Sequence, residues 1–141
     1  MIKKTRRLGM WIATLALAST ASAIEVEINL GDSFQGLIRN GTELDRLSFS
    51  DIVDTSVDAT LQSKDGLLPT LRIWDVGNMQ YLDLGDALSG QGTSKVRLKK
   101  FLLPATGDFQ IGIGSGGPNE GAGGTTGTYQ IKTKRKDAKE N

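Results

Sequence analysis

The sequence predicts an all-β fold, an antiparallel β-sandwich of about eight or nine strands that follows a cleavable leader. Three observations carry this prediction. Apolar and polar residues alternate with a period of two in short segments. Gly, Asn, Asp and Pro separate these segments at intervals of roughly 8–12 residues. No interior segment keeps an apolar 3.6-residue period for the roughly ten residues that a helix would need.

The first 23 residues are typical of a secretory signal peptide. Basic residues between Lys3 and Arg7 precede an apolar run, and Ala21-Ser22-Ala23 follows it as an A-x-A cleavage site. The apolar run is about half the roughly 20 residues that a membrane-spanning helix needs. We therefore expect export, secreted or periplasmic, with cleavage after Ala23 and no transmembrane anchor in the remaining chain.

The predicted strands begin directly after the leader and fill one domain, residues 24–133. Ile24, Val26, Ile28 and Leu30 alternate with polar residues, which is the period of a half-buried strand. Later segments share either this alternation or a short apolar run between turn residues. They are 33–38, 45–50, 56–63, 68–75, 80–84, 95–103, 108–114 and 127–134.

The last two predicted strands begin with a repeated phrase, TGDFQI at 106–111 and TGTYQI at 126–131. In each copy we expect the aromatic residue and the Ile to face the core and the Gln to face solvent. Residues 112–127 are half glycine, which predicts a Gly-rich loop with a mobile middle. Residues 134–141 are predicted to form a basic flexible tail.

The composition removes most catalytic classes. The sequence contains no His and no Cys, which excludes a Cys or His nucleophile, a His general base, a thiolate zinc site and disulfides. A glycosidase needs two carboxyl groups about 5–10 Å apart in a cleft, and a sandwich of this size has little room for one. We predict that the protein is not an enzyme. Without the leader the chain is mildly acidic, which argues against nucleic acid as the main partner.

Several motifs resemble the bacterial pre-peptidase C-terminal domain family. The family's acidic-x-acidic segment is similar to Glu43-Leu44-Asp45, although Leu47 stands where an aromatic residue is usual. A buried leucine strand that ends in Asp and Gly is matched by Leu71–Gly77. The closing motifs are the most specific, and they are matched by Leu103–Phe109 and Gly127–Ile131.

This resemblance implies a jelly-roll-like sandwich, export and no catalytic activity. In some members it also implies calcium binding or attachment to a polymeric substrate. Family members usually follow a peptidase, and this chain has no room for one. We therefore expect a free-standing binding or structural module.

Calcium is the candidate cofactor, because it takes six to eight oxygen ligands and the chain has acidic residues clustered in loops. The first candidate cluster is Glu43 and Asp45 at a strand entrance. The second lies around one hairpin and consists of Asp75, Asn78, Asp83 and Asp86. Neither has the spacing of a D-x-D-x-D-G loop. The alternative is that these side chains cap their own turns.

Trp74 is the centre of a candidate ligand-binding patch. Its parity is opposite to that of Leu71 and Ile73, so it faces outward if those two face the core. Arg72 and Tyr81 would suit such a patch, which could stack on a sugar or fill a pocket in a protein partner. The alternative is that a neighbouring loop covers Trp74.

Two segments are rich in basic residues, one around residues 95–99 and one at residues 132–136. Lys95, Arg97 and Lys99 alternate with apolar residues, as on a solvated strand face that discourages edge-to-edge aggregation. Residues 132–136 resemble a polyanion-binding patch, and the alternative is a solvating tail.

Together these observations predict an exported, monomeric binding module. Its partner would be a secreted protein or an extracellular polysaccharide or protein polymer. The alternative is a structural or assembly protein of the cell envelope that acts by pairing an exposed strand edge with a partner chain.

Overall fold

Ten β-strands build the part of the chain that the computed structural model describes, residues 24–40, 42–115 and 125–137. The strands are β1 (Glu25–Glu27), β2 (Ser33–Ile38), β3 (Leu44–Asp51), β4 (Ser56–Ser63), β5 (Pro69–Asp75), β6 (Gln80–Tyr81), β7 (Leu88–Ser89), β8 (Lys95–Leu102), β9 (Gly107–Ser115) and β10 (Gly127–Lys136). A short 3-10 helix, Gly85–Ala87, lies between β6 and β7. None of the described residues forms a helix long and apolar enough to cross a bilayer.

The strands form two five-stranded sheets, which confirms the predicted β-sandwich. The first sheet has the order β1-β3-β9-β5-β6 and the second has the order β2-β10-β4-β8-β7. Every pairing is antiparallel except that of β1 with β3, which is parallel. Strands β2 to β5 alternate between the sheets, so each connection among them crosses from one sheet to the other. The two sheets pack face to face, and one face of each is buried.

The core lies between the sheets and is filled by the inward residues of both. The fully buried side chains include Leu47, Leu71, Ile73, Ile111 and Ile113 from the first sheet and Leu61, Leu98 and Ile131 from the second. The repeated phrase behaves as predicted, since Phe109 and Tyr129 are buried while Gln110 and Gln130 are partly exposed. Alternation along each strand therefore sets which side chains the core receives.

Strand β9 occupies the start of the glycine-rich segment, as the predicted strand 108–114 indicates, and it ends one residue later at Ser115. Residues 112–115 of the glycine-rich segment belong to β9 and are buried between β3 and β5. A Cβ added to Gly114 would lie 3.3 Å from Leu44 Cδ1, so the Leu44 side chain covers this stretch in place of larger residues. The middle of the predicted loop lies outside the described residues, as do the leader and residues 138–141.

Strand β10 also extends beyond its predicted end. The predicted tail begins at residue 134, whereas β10 continues to Lys136 and pairs with β4 from Tyr129 to Lys136. Arg135 anchors this end, because its Nε and one terminal nitrogen each donate to a different oxygen of Asp51 at 2.8 Å. Such a two-point guanidinium–carboxylate contact fixes the strand where a flexible tail was predicted.

Candidate functional site

The three residues predicted to bind a ligand lie together on the outer face of the first sheet. Strands β5 and β6 pair Trp74 with Tyr81, and the two ring centroids are 4.9 Å apart with the ring planes 72° to one another. The guanidinium carbon of Arg72 lies 4.1 Å from the centroid of the Tyr81 ring. We call Arg72, Trp74 and Tyr81 the aromatic patch. Edge-to-face and cation–π packing of this kind holds the side chains in a fixed arrangement.

Strand alternation places this patch on the surface. Leu71 and Ile73 of β5 are fully buried, so Arg72 and Trp74 point away from the core and are partly exposed. Strand β6 forms the edge of the sheet, and its Tyr81 is 41% exposed. The predicted outward orientation of Trp74 agrees with this arrangement. Its role in binding stays a prediction.

The turn between β5 and β6 adds an exposed apolar residue that sequence reasoning missed. Met79 is 74% exposed and has a positive φ of 53°. A non-glycine residue in the left-handed region is uncommon, and the fixed turn holds this flexible thioether side chain in solvent next to the patch strands. The sequence signal for this exposed residue was a methionine between two polar turn residues, Asn78 and Gln80.

The second acidic cluster supports turns. Asp75 Oδ1 accepts the backbone N–H of Asn78 at 3.2 Å, and its Oδ2 accepts the Asn78 side-chain amide at 2.9 Å. Asp83 Oδ1 accepts the backbone N–H of Gly85 at 3.0 Å, and Asp86 is exposed in the 3-10 helix. Over the described ranges, no three acidic residues are grouped closely enough to hold a metal ion. Calcium binding at Asp75 and Asp86 stays a prediction.

In the first acidic cluster, Glu43 and Asp45 are buried and act as hydrogen-bond acceptors. Glu43 Oε1 accepts the backbone N–H groups of Arg39 and Asn40, the latter at 3.3 Å. Asp45 is only 2% exposed, and its Oδ2 accepts the hydroxyl of Tyr129 at 2.5 Å. A calcium ion at this position would have to replace or share these bonds, and its binding there stays a prediction.

The other oxygen of Asp45, Oδ1, accepts the backbone N–H of Ile24 at 3.2 Å. Burial raises the pKa of Asp45 to about 6, and the nearby charge of Glu43 acts in the same direction, while the two hydrogen bonds from Tyr129 and Ile24 oppose the shift. Burial raises the pKa of Tyr129 well above 10, so its hydroxyl stays a donor at neutral pH. Asp45 thus joins β3, β10 and the start of the described chain.

A glycine makes room for the Tyr129 hydroxyl. In the pairing of β2 with β10, Tyr129 lies opposite Gly36, and a Cβ on Gly36 would lie 2.4 Å from the Tyr129 hydroxyl oxygen and 2.5 Å from Cζ. No side chain larger than hydrogen fits beneath the ring. Sequence reasoning missed this contact, although a glycine within a strand is a recognised signal for a close approach.

Two basic segments that are far apart in the sequence share the outer face of the second sheet. Strand β4 lies between β8 and β10, and its Thr60 pairs with Arg97 on one side and Lys132 on the other. The exposed cations of this basic face include Lys95, Arg97, Lys132 and Lys134. Among the described residues of these strands, the acid that shares the face is Asp58, which pairs with Lys134. The sequence predicted the two segments as separate features.

Comparison with known proteins identifies the fold. No protein-family model and no curated protein matches the chain. The pre-peptidase C-terminal domain of collagenase from Bacillus anthracis superposes with a TM-score of 0.56 and 17% identity, covering 80% of this chain and 96% of that domain. PliG from Salmonella Typhimurium, a periplasmic inhibitor of g-type lysozyme, superposes with a TM-score of 0.55 and 16% identity, covering 82% of this chain and all of PliG.

A mutant of PliG from Escherichia coli gives the same TM-score, identity and coverage as the Salmonella protein. At these identities the likeness concerns the fold, and each match extends over nearly the whole of the other protein. The chain therefore has the β-sandwich fold of the pre-peptidase C-terminal domain, the fold that its motifs predicted.

Proposed function

We propose that the protein is an exported, non-catalytic β-sandwich module that binds a protein partner through the aromatic patch of Arg72, Trp74 and Tyr81. The observation that carries the proposal is the packing of these three side chains on the outer face of the first sheet, where Tyr81 is exposed and the other two are partly exposed. Trp, Tyr and Arg are the residue types that dominate binding hot spots, since each offers a large contact area with a polar group at its end. Packing against one another also lowers the entropy cost of binding.

The proteins that share the fold support a protein partner. The PliG structures are of periplasmic inhibitors that bind g-type lysozyme, a protein. The collagenase structure is of a domain of an enzyme, and that domain has the same sandwich fold. For this chain we propose export through the signal peptide, removal of the leader after Ala23, and a function outside the cytoplasm.

The test measures the affinity of chain 24–141 for g-type lysozyme by calorimetry. We expect Trp74→Ala to weaken binding by about 2 kcal/mol, roughly 30-fold, as for a central hot-spot residue. Leu37→Ala is the matched control, because Leu37 is an exposed apolar residue on the second sheet. Equal losses in both variants would overturn the role of the patch. An absence of binding by the unmodified chain would exclude this enzyme as the partner.

The basic face favours a second candidate function, binding to an anionic extracellular polymer. Its cations lie among hydroxyl and amide side chains such as Thr60 and Gln62, which suit a sulfated or carboxylated polysaccharide. Dextran sulfate should bind and neutral dextran should not, with an affinity that falls as salt rises. Replacing Arg97 and Lys132 with Gln should weaken binding about tenfold, whereas Lys64→Gln, which removes an exposed cation outside this face, should not.

We expect a monomer in both cases. Three of the four edge strands of the described sheets, β1, β6 and β7, have three residues or fewer, and short edges are poor templates for pairing with another chain. Strand β2 is the longer edge. Sedimentation that shows association through a wide concentration range would favour the assembly role instead.

Calcium stabilisation is tested by the thermal midpoint of chain 24–141 in millimolar calcium and in excess chelator. With a dissociation constant near ~0.1 mM, a few millimolar calcium should add roughly 2 kcal/mol, or several degrees. If Glu43 and Asp45 are ligands, the shift should disappear in Asp45→Asn. If the hairpin cluster binds the ion, the shift should disappear in Asp75→Asn.

A further inference from the structure

The backbone nitrogen of Ile24 lies inside the protein. Ile24 is 8% exposed, and its N–H donates to Oδ1 of Asp45, which is 2% exposed. The carbonyl oxygen of Ile24 accepts the N–H of Arg46 at 2.9 Å, so hydrogen bonds hold the residue on both sides against β3. Ile24 is also the residue that leader removal after Ala23 would place first in the chain.

We propose that Asp45 is the binding site for the N-terminal ammonium group that leader removal creates on Ile24. The inference rests on the proposed cleavage after Ala23. A leader peptidase would use water to hydrolyse the Ala23–Ile24 peptide bond. The hydroxyl of water goes to the Ala23 carbonyl carbon and a proton goes to the Ile24 nitrogen. The amine then takes up a second proton, so that an ammonium replaces an uncharged amide at the same atom.

An ammonium group at Ile24 would supply Asp45 with a positively charged partner. The hydrogen bonds to Asp45 come from two uncharged donors, the Tyr129 hydroxyl and the Ile24 N–H. The charged neighbour that acts on Asp45 is Glu43, which is also acidic. Within the described part of the chain, no Lys or Arg forms an ion pair with Asp45. A buried carboxylate without a cation is costly, and a charged donor binds it more strongly than an amide does.

The position of the pair gives it a role in the whole fold. Asp45 is in β3 of the first sheet, while Tyr129 is in β10 of the second, so Asp45 already connects the two sheets. The ammonium would attach the first residue of the processed chain to the same carboxylate. Processing would therefore strengthen a contact that the unprocessed chain makes through an uncharged amide, and the folded state would become more stable once the leader is gone.

The test compares two chains that differ by one residue, 24–141 and 23–141, each released from a fusion by a protease that leaves no extra residue. In the longer chain the Ile24 nitrogen stays an amide. We expect the thermal midpoint of the chain that begins at Ile24 to be higher by about 5 °C. The same comparison with Asp45→Asn completes a double-mutant cycle, and the difference should then disappear. Equal midpoints for the two unmodified chains, or an unchanged difference in the variants, would overturn the proposal.

A second measurement does not depend on the folding of the Asp45→Asn variant. The α-amino group of chain 24–141 is allowed to react with an acetylating reagent, and its modification is followed by peptide mass spectrometry. A buried amine paired with Asp45 should react at least about tenfold more slowly in the folded chain than in urea, whereas exposed lysines should react similarly in both. An α-amino group that reacts as fast in the folded chain would overturn the proposal.

The intact mass of the exported protein tests the cleavage itself. A mature chain that begins at Ile24 is expected, and any other first residue would overturn this inference. Binding through the aromatic patch is measured separately with Trp74→Ala, so the inference and the proposed function can fail independently. Asp45 and Trp74 lie on strands β3 and β5, with β9 between them.

Discussion

Phe109 and Tyr129 occupy the same position in the two copies of the repeated phrase, and they face the core from opposite sheets. Phe109 has an apolar environment, in which it stacks on Phe49 with centroids 5.6 Å apart and ring planes at 27°. Tyr129 also packs against an aromatic ring, that of Phe34 with centroids 6.4 Å apart, but it adds a polar contact. Its ring crosses Gly36, and its hydroxyl donates to Asp45.

A local phrase thus sets the direction of a side chain but not its partner. In both copies the strand period turns the aromatic ring inward. The Tyr129 ring carries a hydroxyl group, which needs a hydrogen-bond acceptor and additional space. Strand β3 supplies the acceptor, Asp45, and strand β2 supplies the space at Gly36. Substitutions at Phe109 should therefore lower the free energy of unfolding mainly by removing volume. Around Tyr129, the free energy of unfolding should fall when a polar contact is lost or when volume is added.

The largest effect is expected for Phe109→Ala. Removing a fully buried aromatic ring leaves a cavity, which typically lowers the free energy of unfolding by about 3–5 kcal/mol. Urea unfolding followed by tryptophan fluorescence measures this loss. Phe101→Ala is the control, because Phe101 is only partly buried and its loss should cost less. A smaller loss for Phe109→Ala than for Phe101→Ala would contradict this account of the apolar side.

The next effect is a pH dependence of stability caused by Asp45. It is expected in a chain whose Ile24 nitrogen is still part of a peptide bond, such as chain 23–141. Burial raises the pKa of Asp45 from 3.8 to about 6, so the folded chain binds this proton more tightly than the unfolded chain does. The stabilising effect of the protonated form is complete below about pH 4 and is lost as the pH rises to about 6. The free energy of unfolding should fall by about 3 kcal/mol in total over this pH range.

The measurement is the difference in unfolding free energy between this chain and its Asp45→Asn variant, from pH 4 to pH 7. Taking the difference removes the contributions of titrating groups that do not interact with Asp45. Relative to the variant, the unmodified chain should lose stability as the pH rises. A difference that stays constant, or that grows in favour of the unmodified chain, would contradict the raised pKa.

Much of the fold could be predicted because the signals are local. Alternation in β3, β4 and β8 identified the strands within one or two residues, and turn residues marked most of their ends. The same parity argument placed Trp74 on the surface, since it needs only the burial of its neighbours. The short strand β7 was missed, because two residues are too few to show a period.

The contacts of Asp45 could not be predicted in the same way. They depend on the pairing of β2 with β10 and on the distance between the two sheets, and neither is encoded near Asp45 in the sequence. The acidic motif was visible, but acidic residues serve calcium ions, turns and buried hydroxyl groups equally well. Likewise, the basic face exists only because β4 brings Arg97 and Lys132 to the same row.

Gly36→Ala should disturb the contact between Tyr129 and Asp45 by adding volume beneath the Tyr129 ring. The new Cβ would overlap the Tyr129 ring, which must then move away from Asp45, and overpacking of this kind costs about 1–3 kcal/mol. Gly107→Ala is the matched control, because a Cβ there meets nothing within 4 Å. In a Tyr129→Leu background Gly36→Ala should cost less. An equal cost in both backgrounds would show that the ring is not what excludes the methyl group.

The smallest effect is expected for Tyr129→Phe, which makes the two copies of the phrase alike at their aromatic position. The ring keeps its volume, but Asp45 loses its buried hydroxyl donor and retains the bond from the Ile24 nitrogen. Loss of one such bond should lower the free energy of unfolding by about 1–2 kcal/mol, measured by urea unfolding at pH 7. In the Asp45→Asn background the cost should shrink, because a neutral amide gains less from the hydroxyl than a carboxylate does. If Tyr129→Phe were neutral in both backgrounds, the hydroxyl would add nothing to stability. The two aromatic positions would then differ only in the volume that Gly36 leaves free.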